Sequence, residues 1–132
     1  MKSEFKEQRD AEFFEAYKKA VKEANGNISL REAIHTAIMT PASSFFISEL
    51  RIGRIIRASE ADAPKSKDKA ELFHAIRRRY KHIHANYPNM RPETIAKNFI
   101  SAQTAPRFYI SVARGINIYC TELKRRRKEN KK

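Results

Sequence analysis

Three blocks of residues recur in the same order along the chain, which restricts it to a fold that can be built twice. The clearest block reads Phe-Phe-Ile-Ser-x-x-Arg at residues 45–51 and Phe-Tyr-Ile-Ser-x-x-Arg at residues 108–114. The separation between matching residues grows from 59 to 61 to 63, so each gap between blocks is two residues longer in the second copy. Loops between helices tolerate such insertions. The spacing therefore predicts a duplication of one small helical unit.

Each copy is expected to form three helices. Apolar residues at the 3.6-residue period indicate the helices. A capping box, Ser29 with Glu32, marks the start of the second helix in copy one, and Pro92 occupies the matching start in copy two. Ser48 and Ser111 are predicted to cap the third helices. An irregular connector precedes each third helix and is expected to direct one or two aromatic side chains into the core.

The expected fold class is all-α, with two tandem three-helix units that resemble those of helix-turn-helix proteins. Three glycines, five prolines and no tryptophan argue against a turn-rich β sandwich. The first unit is expected over residues 5–57, a polar linker over 58–68, the second unit over 69–124 and a basic tail over 125–132. Units of this size have thin cores, so the two are expected to pack on each other, or two chains are expected to form a homodimer.

The formal net charge of +13 is distributed unevenly between the copies. Residues 1–66 hold 11 basic and 10 acidic residues, whereas residues 67–132 hold 17 basic and five acidic ones. The last nine residues contribute seven basic residues and one acidic residue. A block of like charge repels itself unless a polyanion neutralises it. The charge predicts a nucleic-acid-binding protein whose second copy and tail contact the phosphate backbone, with DNA favoured over RNA.

The candidate DNA-contacting residues lie on the outward faces of the two third helices, in the second connector and in the basic tail. Arginine and asparagine have the paired donors and acceptors that read guanine and adenine edges. The connector is longer than the turn of helix-turn-helix proteins, which leaves the docking geometry open. The candidates are Arg51, Arg54, Arg57, Arg107, Arg114, Asn117, Lys124, Arg125, Arg126, Arg127 and Lys128.

Other interpretations of these residues stay open. Arg51 and Arg114 stand in the first turn of their helices, where the helix dipole disfavours a cation. Each either meets a phosphate group or forms a salt bridge to an acidic residue of a first helix, Glu12 or Glu71. The aromatic pairs of the connectors either fill the core, which neighbouring isoleucines favour, or stack on bases. The basic tail either follows phosphates or is a solvated helix end.

The sequence gives no indication of catalysis, a cofactor or a metal site. No glycine-rich phosphate loop and no nucleophile motif occur. No apolar run approaches the roughly 20 residues that span a bilayer, the first ten residues lack a signal-peptide core, and one cysteine cannot form an internal disulfide. These features predict a non-enzymatic, soluble, cytoplasmic protein. Four potential zinc ligands lack the spacing of known ligand pairs: His74, His82, His84 and Cys120.

Residues 103–111 (QTAPRFYIS), with Arg114 three residues beyond, resemble a motif in small basic proteins encoded by Bacteroidetes and by their phages or mobile elements. The stretch Ala-Glu-Leu-Phe-x-Ala-Ile at residues 70–76 fits the same pattern. Copy one departs from it, with Ser-Ser at residues 43–44 where residues 106–107 are Pro-Arg. The resemblance implies a phage or mobile-element origin, in the host cell or a virion, and with it a regulator or a packaged, genome-associated protein. The alternative function is a structural or adaptor protein, such as a virion or assembly component, that binds an acidic protein partner.

Overall fold

Local sequence signals set where the helices of this protein begin and end. A computed structural model describes the backbone of residues 2–130 and the side chains of residues 5–129. No strand occurs in this part of the chain, so the predicted all-α class is confirmed. The α-helices are α1 (Lys2–Glu23), α2 (Leu30–Ile38), α3 (Glu49–Arg57), α4 (Lys67–Asn86), α5 (Pro92–Ile95) and α6 (Val112–Asn130).

The caps of the third helices form as expected. The Ser48 hydroxyl accepts a hydrogen bond from the backbone N–H of Arg51 at 3.2 Å, and the Ser111 hydroxyl accepts one from the N–H of Arg114 at 3.1 Å. These bonds satisfy donors that a helix start leaves without partners. Both third helices therefore begin at the same point of the repeated sequence.

Local signals also set the start of α2 and the end of α1, whereas the segment after α5 differs from the prediction. The Ser29 hydroxyl accepts from the backbone N–H of Glu32 at 3.1 Å and donates to its carboxylate at 2.8 Å, so the carboxylate engages the hydroxyl. Past the end of α1, Asn25 and Gly26 have positive φ angles of 55° and 78°, as a helix stop requires. The short α5 widens into a π-helical segment, Ala96–Ser101, which the sequence period did not indicate.

The helices form two units that do not coincide with the two copies. Unit 1 comprises the described parts of residues 1–42 and 106–132, and unit 2 comprises residues 43–105. Accordingly, α6 packs on α1 and α2, whereas α3 packs on α4, α5 and the π-helical segment. The structure therefore corrects the predicted boundaries of the units, which were 5–57 and 69–124. Each third helix packs with the first two helices of the other copy.

The segments between and after the expected units are also more ordered than predicted. Residues 58–68 belong to unit 2 and include a 3-10 turn, Glu60–Asp62. The guanidinium group of Arg77, on α4, donates to the carbonyl oxygens of Ile55 and Ala58 and so caps the end of α3. The basic tail continues α6 as far as Asn130, and residues 131–132 lie outside the described residues.

In unit 1, α6 lies close against α1 and α2. Phe13 and Ile34 are fully buried, and a Cβ atom built on Gly115 would lie 2.7 Å from Ile34 Cγ2 and 3.1 Å from Phe13 Cζ. The ring of Phe108 meets that of Phe13 edge to face at 5.4 Å between centroids, and the Phe108 N–H donates to the Ile38 carbonyl at 2.9 Å. Glycine is required here because any side chain would hold α6 away from this core.

The connector aromatics pack as the favoured interpretation expected. Phe45, in unit 2, is 7% exposed, and Phe108, in unit 1, is 2% exposed. Their neighbours Phe46 and Tyr109 are half-buried. Each connector therefore places one ring in the core of a unit.

Each third helix thus packs in the unit that contains the first two helices of the other copy, an arrangement we call helix exchange. Side-chain volume favours this arrangement. In unit 2 the positions that match Phe13 and Gly115 hold Leu72 and Ile52, both buried. A larger residue on the first helix thus goes with glycine on the third, and a smaller one goes with isoleucine. If each copy folded on itself, Phe13 would face Ile52 and Leu72 would face Gly115. The first pairing overfills its core and the second leaves a cavity, and both costs destabilise a fold.

The Gly115→Ala variant should be less stable than the wild type by about 1–2 kcal/mol. Steric overlap with Ile34 and Phe13 outweighs the roughly 1 kcal/mol that alanine gains over glycine in a helix. The matched control is Gly53→Ala in α3, where the new Cβ meets only the flexible Arg57 side chain at 3.4 Å. Urea unfolding followed by circular dichroism should show Gly53→Ala at least as stable as the wild type. Equal destabilisation of both variants would contradict the packing.

Helix exchange also predicts that the fragments 1–57 and 58–132 fold only together. Each fragment contains the first two helices of one unit and the third helix of the other. We expect low helix content for each fragment alone, and recovery of cooperative thermal unfolding after equimolar mixing. Two fragments that each unfold cooperatively on their own would show that the copies fold independently.

Candidate nucleic-acid interface

One face of α6 presents a line of exposed polar and basic side chains. Their spacing of three or four residues places them one above the other along the helix. The line runs from residue 114 to residue 128, a length of about 21 Å, and the opposite face of α6 is buried in unit 1. We call this line the α6 strip, and it consists of Arg114, Asn117, Thr121, Lys124 and Lys128.

The cations of the α6 strip are open to a ligand. Arg114, Lys124 and Lys128 form no ion pair with a described acidic side chain. Asn117 and Thr121, between them, add amide and hydroxyl groups that both donate and accept hydrogen bonds. The strip thus combines charge at both ends with hydrogen-bonding groups in its middle.

Arg125 has a different role from its neighbours in the tail. Its guanidinium forms two hydrogen bonds to the Glu122 carboxylate, at 2.8 and 3.2 Å, and one to Glu129 at 2.9 Å. The hydrogen bond to Glu122 raises the pKa of Arg125 above its ordinary value. Glu122 is only 7% exposed, so its carboxylate needs these partners. The charge of Arg125 is therefore used within unit 1.

Arg126 joins α6 to α1. Its guanidinium lies 3.0 Å from a Glu15 carboxylate oxygen and 4.3 Å from the centre of the Phe14 ring. Burial acts to raise the pKa of Glu15, but hydrogen bonds from Lys18 and Arg126 outweigh it and the pKa is lowered. Arg126 thus stabilises the packing of unit 1, and among the tail candidates Lys124, Arg127 and Lys128 are the exposed cations that remain.

The three acidic partners in this network, Glu122, Glu129 and Glu15, were missed by sequence reasoning. Glu122 precedes Arg125 and Arg126 by three and four residues, which is the spacing of ion pairs on one helix. That spacing was an available signal for the Glu122 contacts. No sequence pattern indicates Glu15, because its partner lies on a distant helix of the same unit.

Arg107 does not belong to the α6 strip. Its Nε donates to the carbonyl oxygen of Phe108 at 3.1 Å, and its guanidinium lies 5.3 Å from the centre of the Tyr109 ring. The side chain is half-buried and engaged with its own connector. The structure therefore places this predicted site residue apart from the open cations.

The candidates on α3 belong to unit 2. Arg57 pairs with Glu93 at 2.9 Å, whereas Arg51 and Arg54 are exposed and form no ion pair with a described acidic side chain. The pKa of Glu93 is lowered, first by its own backbone N–H and then by Arg57. The alternative in which Arg51 and Arg114 pair with an acidic residue of a first helix stays a prediction, and neither arginine forms an ion pair among the described contacts. In both helices it is the backbone N–H of the arginine that donates to the hydroxyl of the capping serine.

The helix exchange also redistributes charge. Residues 1–42 and 106–132 hold 16 basic and nine acidic residues, a net charge of +7. Residues 43–105 hold 12 basic and six acidic residues, a net charge of +6. The charge asymmetry between the two copies therefore does not carry over to the two units.

Comparisons with known proteins gave no match: no family model fits the chain, and no curated protein or solved structure is significantly similar to it. The resemblance to proteins of Bacteroidetes and their phages stays a prediction. Among the described residues, no three His, Cys, Asp or Glu side chains lie close enough to hold a metal ion. None of the described helices is both long enough and apolar enough to cross a membrane.

The division between structural and open cations can be tested by stability. Arg126→Ala should lower the free energy of unfolding by about 1–2 kcal/mol, because it removes a half-buried cation–π contact and an ion pair. Arg127→Ala is the control, since its side chain is exposed and forms no ion pair with a described acidic residue. It should unfold like the wild type in urea. If both variants unfold alike, the assignment of Arg126 is wrong.

Proposed function

We propose that this chain is a non-enzymatic DNA-binding protein that contacts the duplex through the α6 strip. The observation that carries the proposal is the strip itself, in which three cations without described acidic partners and two hydrogen-bonding side chains lie along one exposed helix face. A phosphate backbone is the partner that complements such a row of positive charge. Arg127, which is also exposed, stands three residues beyond Lys124 on the same helix and adds a further positive charge.

The form of the surface favours duplex DNA over RNA. The major groove of B-DNA, about 12 Å wide, admits an α-helix, whose diameter with side chains is about 10–12 Å. The corresponding groove of an A-form RNA helix is deep and narrow, and single-stranded RNA is read mainly through stacking on exposed aromatic rings. The α6 strip lies on a helix and contains no aromatic residue.

Within the strip, position along the helix suggests two roles. Arg114 and Asn117 lie in the first turns of α6, the part of a recognition helix that contacts base edges, and their side chains match guanine and adenine. Lys124 and Lys128 lie further along and are suited to contact phosphate groups, which fix orientation without reading sequence. A regulator from a phage or mobile element, as the sequence resemblance implies, would use both kinds of contact.

The proposal is tested by the salt dependence of binding to a fluorescent DNA duplex. Affinity should fall steeply between about 50 and 300 mM salt, since bound cations release counterions from the phosphates. The double variant Lys124→Ala with Lys128→Ala should flatten the slope of log affinity against log salt. The decrease should be the amount expected for the loss of about two phosphate contacts. The matched control removes two exposed lysines of α1, Lys19→Ala with Lys22→Ala, and should leave the slope unchanged.

Two results would contradict the proposal: affinity that does not depend on salt, or equal effects of the two double variants. Competition by poly-glutamate as strong as that by duplex DNA would favour the alternative of an adaptor for an acidic protein. Point substitutions are preferable to removing the last nine residues, because that deletion also removes Arg125 and Arg126 and with them the contacts to Glu122 and Glu15.

A further inference from the structure

The third helix of unit 2 occupies the place that α6 has in unit 1. Both helices follow an aromatic connector, both are capped by a serine, and Arg51 and Arg54 stand where Arg114 and Asn117 stand in the repeat. Both arginines of α3 are exposed along its outward face. The first half of the α6 strip thus has a counterpart in unit 2 with arginine at both positions.

Neither arginine of this face forms an ion pair with a described acidic side chain. Three acidic residues of unit 2 have other partners. Glu93 binds Arg57 at 2.9 Å, and Glu60 lies 3.4 Å from both Arg77 and His74. Asp62 accepts hydrogen bonds from Ser59 at 3.0 Å.

The remaining acidic residue of α3 lies on another side of the helix. Glu49 lines a groove together with Gly53 and Glu93, away from the face formed by Arg51 and Arg54. Glu49 therefore does not offset the charge of Arg51 and Arg54 on the outward face of α3.

The charge of the whole unit supports the same conclusion. Copy one as a sequence is nearly neutral, and an arginine face on it would have little long-range attraction for a polyanion. Helix exchange places α3 among α4, α5 and the π-helical segment, in a unit with a net charge of +6. Unit 2 thus has both an arginine face without described ion pairs and a surrounding positive charge that attracts polyanions.

We infer that unit 2 carries a second DNA-contacting surface, formed by Arg51 and Arg54 on α3, and that one chain has two separate DNA contacts. The inference rests on the proposed function of the α6 strip and extends it to the other unit. Two linked contacts raise the affinity for long DNA through effective concentration, without requiring any stronger contact in either unit.

The number of short duplexes bound by each chain tests the inference. A duplex of about 10 base pairs, one helical turn, is long enough for one recognition helix. Calorimetric titration in low salt should give two duplexes per wild-type chain. Arg51→Glu with Arg54→Glu should reduce this to one, and Arg114→Glu with Lys124→Glu should also reduce it to one. The quadruple variant should bind none.

A charge-matched control separates the α3 face from the general charge of unit 2. Arg78→Glu with Lys81→Glu changes two exposed residues of α4 and should leave two duplexes bound. Thermal unfolding of every variant checks that the fold is retained, as expected for exposed side chains without ion pairs to described acidic residues.

The outcomes distinguish the inference from the proposed function. If the wild type binds one duplex and only the α6 variant loses it, the second surface is refuted and the proposed function stands. If only the α3 variant loses binding, the α6 strip is refuted as the primary contact. If the α4 control loses a duplex as well, binding follows net charge and the α3 assignment is wrong. Binding unchanged in every variant refutes both proposals.

Discussion

The contact of Gly115 with Phe13 and Ile34 is the constraint on which unit 1 depends. Because no side chain separates the helices at this point, α6 lies close against α1 and α2. Two turns further along, the same face buries Glu122 and brings Arg126 onto Glu15 and the Phe14 ring. The rotation of α6 is thereby fixed, and with it the direction in which the α6 strip points. A structural contact at one face of the helix decides which cations stay open on the other.

The basic C-terminal cluster is consequently not a single feature. Successive residues of a helix point about 100° apart, so adjacent cations meet different surroundings. Arg125 and Arg126 face acidic partners in unit 1, whereas Lys124, Arg127 and Lys128 face outward. A charge run in a sequence therefore overstates the charge available to a ligand. Here the structural arginines hold the helix, and the outward cations are the ones that a polyanion would meet.

Helix exchange changes what the duplication means for function. As sequences, one copy is nearly neutral and the other strongly basic, which suggests that one copy binds and the other completes the fold. As packed units, the two carry +7 and +6, and each has one third helix with an exposed arginine in its first turn. The proposed division is accordingly between the inward and outward faces of each third helix, which hold a core and an open cationic surface.

The sequence by itself determined the features that depend on residues close along the chain. The all-α class, the serine caps at Ser48 and Ser111, the stop at Gly26 and the buried connector rings all follow from side chains acting within one or two helical turns. It also indicated the outward positions of both third helices. Only the tertiary structure decided which third helix joins which pair of helices, and which arginines are neutralised. The copies present similar helix surfaces, so the hydrophobic period cannot distinguish the two ways of pairing the helices. Side-chain volume distinguishes them, because Phe13 goes with Gly115 and Leu72 goes with Ile52. These residues are far apart in the chain, so the choice is made only in the tertiary structure.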